Sequence, residues 1–166
     1  PSILIIAVIS NALPFTLFAF ASLGATSNML GILNGTTAFL TTIIAYFWLK
    51  EFISSKQIVG LFLGFIGVVI LVNPANGSST ILASMCALVG SFCYAFNGNY
   101  LQKYHQNSNK IVLIGWSMLF GGLLMLPLAA FNLPNQMPNF NSFLALLWLA
   151  VVSTGIGYLA YVRLID

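Results

Sequence analysis

Six apolar runs, each long enough to cross a bilayer, fill almost the whole chain, and its few charges lie only between them or at their ends. A membrane-spanning helix needs about 20 predominantly apolar residues. The runs cover roughly residues 3–21, 27–49, 57–74, 81–102, 111–130 and 143–165. Lys50, Glu51 and Lys56 follow the second run, Lys103 and Lys110 the fourth, and Arg163 and Asp166 close the sixth. The joins after the first, third and fifth (around Gly24 to Thr26, Pro74 to Thr80 and Asn132 to Ser142) carry no charge. Lys and Arg favour the cytoplasmic side, so this alternation is what a chain crossing at every run produces. The sequence therefore reads as an all-α polytopic transmembrane helix bundle with six spans. Lys50, Lys56, Lys103, Lys110 and Arg163 are expected in the cytoplasm, and the lipid bilayer is the first partner.

A mean hydropathy of +1.00, with 60% hydrophobic and 4% charged residues, excludes a soluble domain. The pI near 9.1 does not point to nucleic acid, because five cations confined to helix ends form no basic patch. Cys86 and Cys93 sit about 10 Å apart along one helix, too far for a disulfide and wrong for a metal pair. They read as small apolar packing residues. His105 stands alone in a loop, and no nucleophile, base or metal cluster accompanies it, so no enzyme, metal or cofactor is expected. The chain opens on Pro1 with no charged leader or cleavage site ahead of its first span, so it is no signal peptide. It is expected to be an internal piece of a longer protein.

Ala7-Val8-Ile9-Ser10-Asn11-Ala12-Leu13-Pro14-Phe15 in span one resembles Ala150-Val151-Val152-Ser153-Thr154-Gly155-Ile156-Gly157-Tyr158 in span six. Ser10 aligns with Ser153, and the helix-loosening Pro14 with Gly157. The repeat unit then holds five spans. An odd unit makes equivalent helices cross in opposite directions, which is the inverted-repeat plan of many secondary transporters. Residues 1–74 are expected to be the last three helices of one unit, and residues 75–166 the first three of the next.

Leu33-Asn34-Gly35-Thr36-Thr37-Ala38-Phe39, continuing through Tyr46-Phe47-Trp48-Leu49-Lys50-Glu51, resembles the fourth helix of an EamA-type transporter. Gln57-Ile58-Val59-Gly60 and Gly64-Phe65-Ile66-Gly67 are similar to the segment after that helix in the same family. The run from Ser153 to Ile165 is similar to the family's eighth helix. The resemblance, to the drug/metabolite transporter superfamily, covers all six spans as the third to eighth of ten. It implies two inverted halves rocking around a central cavity. Ala38 stands where many relatives have proline, which removes a helix break there.

No ionisable side chain lies in the middle of a span, so the visible helices offer no ion or proton path. A substrate cavity here would use neutral hydrogen-bonding groups and aromatic faces. Asn34, Thr37 and Thr41 share one face of span two. The threonines equally fit a packing role, bonding to carbonyls of their own helix, and Asn34 fits a contact between helices. Ser91, Tyr94 and Asn97 lie roughly on one side of span four. Asn97 must face protein or water, since burying an amide without a partner costs roughly 2–7 kcal/mol. Asn11 beside Pro14, and Ser153 beside Gly155 and Gly157, place polar groups next to helix breaks at repeat-related positions. Such matched interruptions mark midplane sites, although kinking and close packing explain them too. Tyr158 offers an aromatic face, and Trp116 lies deep enough in span five to line a cavity.

The function these features suggest is secondary transport, export or import, of a small polar metabolite such as an amino acid or nucleoside-like compound. A bacterial inner membrane is the expected setting. The alternative is a non-transporting membrane subunit whose polar residues serve packing or partner binding. Ten spans suffice for one transporting unit, so the sequence sets no oligomeric state.

Overall fold

The structure, a computed structural model, describes residues 2–72, 79–106, 108–132, 139–157 and 160. Side-chain caps set where most helices begin. Thr26, Thr80, Asn109 and Asn139 stand in extended backbone, and each accepts the N–H three residues ahead, at 3.4, 3.2, 3.2 and 2.8 Å. Each bond satisfies one of the donors that a helix start leaves unpaired. Ser54 and Gln57 cap reciprocally: Ser54 N–H donates to Gln57 Oε1 at 2.8 Å, and Gln57 N–H to Ser54 Oγ at 3.3 Å.

The helices are α1 (Ile3–Ala21), α2 (Ser27–Leu49), α3 (Ser55–Val72), α4 (Ile81–Tyr104), α5 (Lys110–Phe131) and α6 (Phe140–Ile156). The spans read from sequence recur as helices over the described residues, and the expected ends of the third and sixth, at 74 and 165, lie outside them. The third starts two residues before the expected 57 and the sixth three before the expected 143, because Ser54 and Asn139 supply caps that hydropathy does not register. Helices α1, α2, α4 and α5 are each long and apolar enough to cross a membrane, and α3 and α6 are apolar over Ser55–Gly67 and Phe140–Ile156. The protein is an all-α polytopic membrane bundle.

Helix α4 is central. It packs on α1 and α2, while α5 packs on α1 and α3 on α2. The contacts use small residues: Ala21, Ala83 and Ala87 are buried, with Phe18, Leu30 and Leu33 packed against them. Without a hydrophobic drive between helices in lipid, such residues let backbones approach closely. Phe47, Phe62, Phe131 and Trp148 are exposed, as expected of a surface solvated by lipid. At the uncharged end, Thr80 N–H donates to Gly24 O at 2.8 Å, and an isolated antiparallel bridge joins Ala25 to Ser79. A Cβ on Gly24 would meet Thr80 Oγ1 at 2.6 Å, so this corner requires glycine.

Among the described residues, three helices carry a wider, π-helical turn. In α1 it runs over Val8–Ala12, closed by Leu13 N–H on Val8 O. Pro14 follows it and has no N–H, so the carbonyl of Ser10 lacks its usual donor and the ladder is reset there. In α6 the π turn covers Leu149–Ile156, closed by Gly157 N–H on Thr154 O and Val152 O. In α2 it covers Ala45–Leu49, and Lys50 then ends the helix in left-handed backbone (φ 58°, ψ 33°). Helix α2 is also interrupted at Thr36, whose N–H and Oγ1 both donate to Leu33 O, at 3.2 and 2.6 Å.

Candidate functional site

Two side chains tie α4 to α2. Ser91, fully buried, donates from Oγ to Leu33 O and to Ala87 O of its own helix, both at 3.0 Å. Two turns further on, Asn99 donates from Nδ2 to Thr41 O at 3.1 Å and to Ala95 O at 2.8 Å. Both cross-helix pairs are 58 residues apart, so α2 and α4 run parallel and in constant register. Beyond Asn99, Lys103 Nζ lies 3.3 Å from Trp48 O and 4.8 Å from the centre of the Trp48 ring, a cation–π contact. Trp48 stacks in turn on Phe96 at 5.0 Å.

A polar cavity of about 280 Å³ opens beside this contact, between α2, the start of α3 and α4. Thr41, Thr42, Glu51, Gln57, Asn99 and Gln102 line it, with apolar neighbours. The left-handed turn at Lys50 folds the chain back, and Glu51 Oε1 accepts from Gln102 Nε2 at 2.6 Å, a charge-assisted bond. Thr41 and Thr42 donate their hydroxyls to Thr37 O and Ala38 O, at 2.7 and 2.9 Å. Asn99 is 1% exposed, and its Oδ1 has no hydrogen-bond partner among the described residues.

The sequence-nominated residues fall in several places. Thr41 reaches the cavity; Ser91 forms the α2–α4 tie. Asn11 is buried on the other side of α1, where Nδ2 donates to Ser117 Oγ of α5 at 3.4 Å, and Ser117 donates onward to Ile114 O at 2.8 Å. Asn34 is exposed, with Thr37 Oγ1 donating to its Oδ1 at 3.5 Å. Tyr94 stacks on Phe18, centroids 6.2 Å apart, and Asn97 is half-buried on α4. Trp116 is exposed and stacks on Phe120. Pro14 is buried, Gly155 half-buried and Gly157 exposed. The backbone of Ser153 lies in the π turn of α6, and Tyr158 lies outside the described residues, as does Arg163. Among the described residues, no three His, Cys, Asp or Glu side chains gather as a metal site.

Sequence reasoning did not nominate Asn99, Ser117, Glu51, Gln57 or Gln102. Asn99 had a signal: it follows Ser91 and Ala95 at two i+4 steps, on the face that meets α2. Ser117 had none, since its partner sits on a helix far off in the chain.

Apolar helices packed through small residues, with buried polar side chains at helix contacts and a cavity between three helices, define an integral membrane helix bundle. Residues 1–73 and 81–166 both match the EamA-like transporter family, and the chain belongs to that family. It is 28% identical over 165 residues to an uncharacterized transporter of Clostridium kluyveri, covering 93% of this chain and 52% of that protein. It is 27% identical over 164 residues to the uncharacterized inner membrane transporter YicL of Salmonella typhimurium, covering 96% of this chain and 53% of YicL. A probable amino-acid metabolite efflux pump of the same organism is 26% identical over 160 residues, covering 86% and 52%. The chain spans about half the length of these relatives. No solved structure matches it significantly.

Proposed function

We propose that this chain is the central part of a secondary transporter that moves a small polar metabolite, such as an amino acid or nucleoside-like compound, by alternating access. Residues 1–74 close one five-helix half, and residues 75–166 open its inverted counterpart. The observation that carries this reading is the pair of π turns. Val8–Ala12 in α1 aligns in the internal repeat with Val151 to Gly155, which falls within the π turn of α6. Single π turns inside α-helices are frequent at functional sites, and in transporters helix irregularities at corresponding positions of the two halves point to the substrate site. The two separate family matches support the division into halves. Similarity to a protein named as an amino-acid metabolite efflux pump supports the substrate class, and similarity to YicL supports an inner membrane.

The exposed Asn34 amide, on the helix face it shares with Thr37 and Thr41, supports a cavity surface there, since an amide turned to lipid is costly. Lys50 and Lys103 lie at the same end of two parallel helices, which agrees with a cytoplasmic position for both. The test is uptake and efflux of a panel of labelled amino acids and nucleosides by the full-length protein in proteoliposomes, beside its Asn34→Leu variant. Transport of one class by the parent and its loss in a folded variant is the expected result. A parent that moves no compound in the panel, with Asn34→Leu changing only stability, assigns the polar residues to packing.

A further inference from the structure

We infer that the cavity between α2, α3 and α4 is a binding site for a compact cation rich in hydrogen-bond donors, the ammonium group of a small primary amine. Asn99 sets the chemistry. Its Nδ2 is held between two carbonyls, Thr41 O and Ala95 O, and only the amide nitrogen can face two acceptors. The side chain therefore cannot flip, and Oδ1 is the atom it has left to offer. That oxygen is buried without a partner among the described residues, although Asn99 lines the cavity. A buried acceptor left unpaired is costly, and a donor arriving from the cavity removes the cost.

The rest of the lining agrees. Thr41 and Thr42 spend their protons on Thr37 O and Ala38 O, so their hydroxyls have only lone pairs to give. Gln102 spends an amide proton on Glu51, and Gln57 Nε2 is the one amide group with both donors unspent in the bonds described. Among the described residues, Glu51 is the single charged one in the lining, and no Lys or Arg contributes to it. Lys103, the cation closest along α4, is engaged over Trp48. Acceptors outnumber donors and the charge is negative. A ligand with positive charge and several N–H groups answers both, and a primary ammonium carries three such donors.

Binding at this site is separable from transport, because it is measured at equilibrium on the purified full-length protein and needs no flux. The unfolding midpoint is followed in detergent against methylammonium chloride, sodium chloride and tetramethylammonium chloride at equal ionic strength. Tetramethylammonium carries the charge without an N–H, and sodium carries it without directional donors. A saturable rise with methylammonium alone is expected. Glu51→Gln keeps an oxygen for Gln102, lies on an exposed turn, and should raise the half-saturating concentration about tenfold or more. Equal effects of sodium or tetramethylammonium overturn the inference, as does the absence of any saturable effect. So does a Glu51→Gln protein that folds and binds methylammonium as the parent does.

Discussion

Gly121 of α5 lies so close to Asn11 of α1 that a Cβ placed on it would fall 2.6 Å from the Cβ of Asn11 and 3.4 Å from the Ala7 carbonyl. The contact is backbone against side-chain root, with no flexible end to swing aside. Gly121→Ala must push α1 and α5 apart at the Asn11–Ser117 hydrogen bond. A loss of roughly 1–3 kcal/mol is expected. Gly122→Ala is the control, because a Cβ there meets nothing within 4 Å. Equilibrium unfolding of the full-length protein in mixed micelles separates the two variants, and equal stability for both would refute the close approach.

The ties between α2 and α4 should differ in strength. Ser91→Ala removes one cross-helix donor, and Leu33 O keeps two bonds from Thr36, so the loss should be about 0.6 kcal/mol. Asn99→Ala removes bonds to both helices and leaves a void, and its loss should be about 2 kcal/mol. Unfolding curves in the same micelles give the order, and a larger effect at Ser91 would contradict it.

Lys50 carries the left-handed turn that returns Glu51 to Gln102. A β-branched residue is poorly suited to that backbone, so Lys50→Val should destabilise by about 1–2 kcal/mol. Lys50→Gly should be close to neutral, because glycine reaches the conformation freely while adding entropy to the unfolded chain. If valine and glycine variants unfold alike, the turn is not left-handed in the protein.

Orientation is open to direct labelling. With every native cysteine of the full-length protein, Cys86 and Cys93 among them, replaced by alanine, a single cysteine at Leu23 should react with an impermeant maleimide on intact cells. A cysteine at Lys56 should react only after the membrane is permeabilised, as the distribution of Lys and Arg requires. The reverse pattern would invert the proposed sidedness.

The six spans were legible because charge is so costly in hydrocarbon that each cluster marks a boundary. Boundaries slipped at Ser55 and Phe140, where capping hydrogen bonds rather than hydropathy decide the first turn. The register of α2 on α4 was not legible. Asn99 and Asn97 are the same residue type two positions apart, yet one is 1% exposed and the other half-buried, and only packing tells them apart. By contrast, the packing role open to the threonines in sequence is the one Thr41 and Thr42 take, their hydroxyl protons going back to their own helix. The cavity at Glu51 leaves no mark in the sequence because it is assembled by a turn at Lys50, and lysine is no signal for left-handed backbone.

The backbone clasp between Gly24 and Thr80 gives α4 a fixed end and a free one. At the clasped end, moving α4 away from the α1–α2 corner means breaking main-chain hydrogen bonds. At the opposite end, the outermost ties are the exposed Gln102–Glu51 and Lys103–Trp48 contacts, which water can replace at little cost. The helix is thus an oar held in a rowlock. Its 24 residues are about 36 Å long, so a swing of roughly 10° carries the free end about 6 Å. Such a stroke would be spent beside the Asn99 cavity and hardly felt at Gly24.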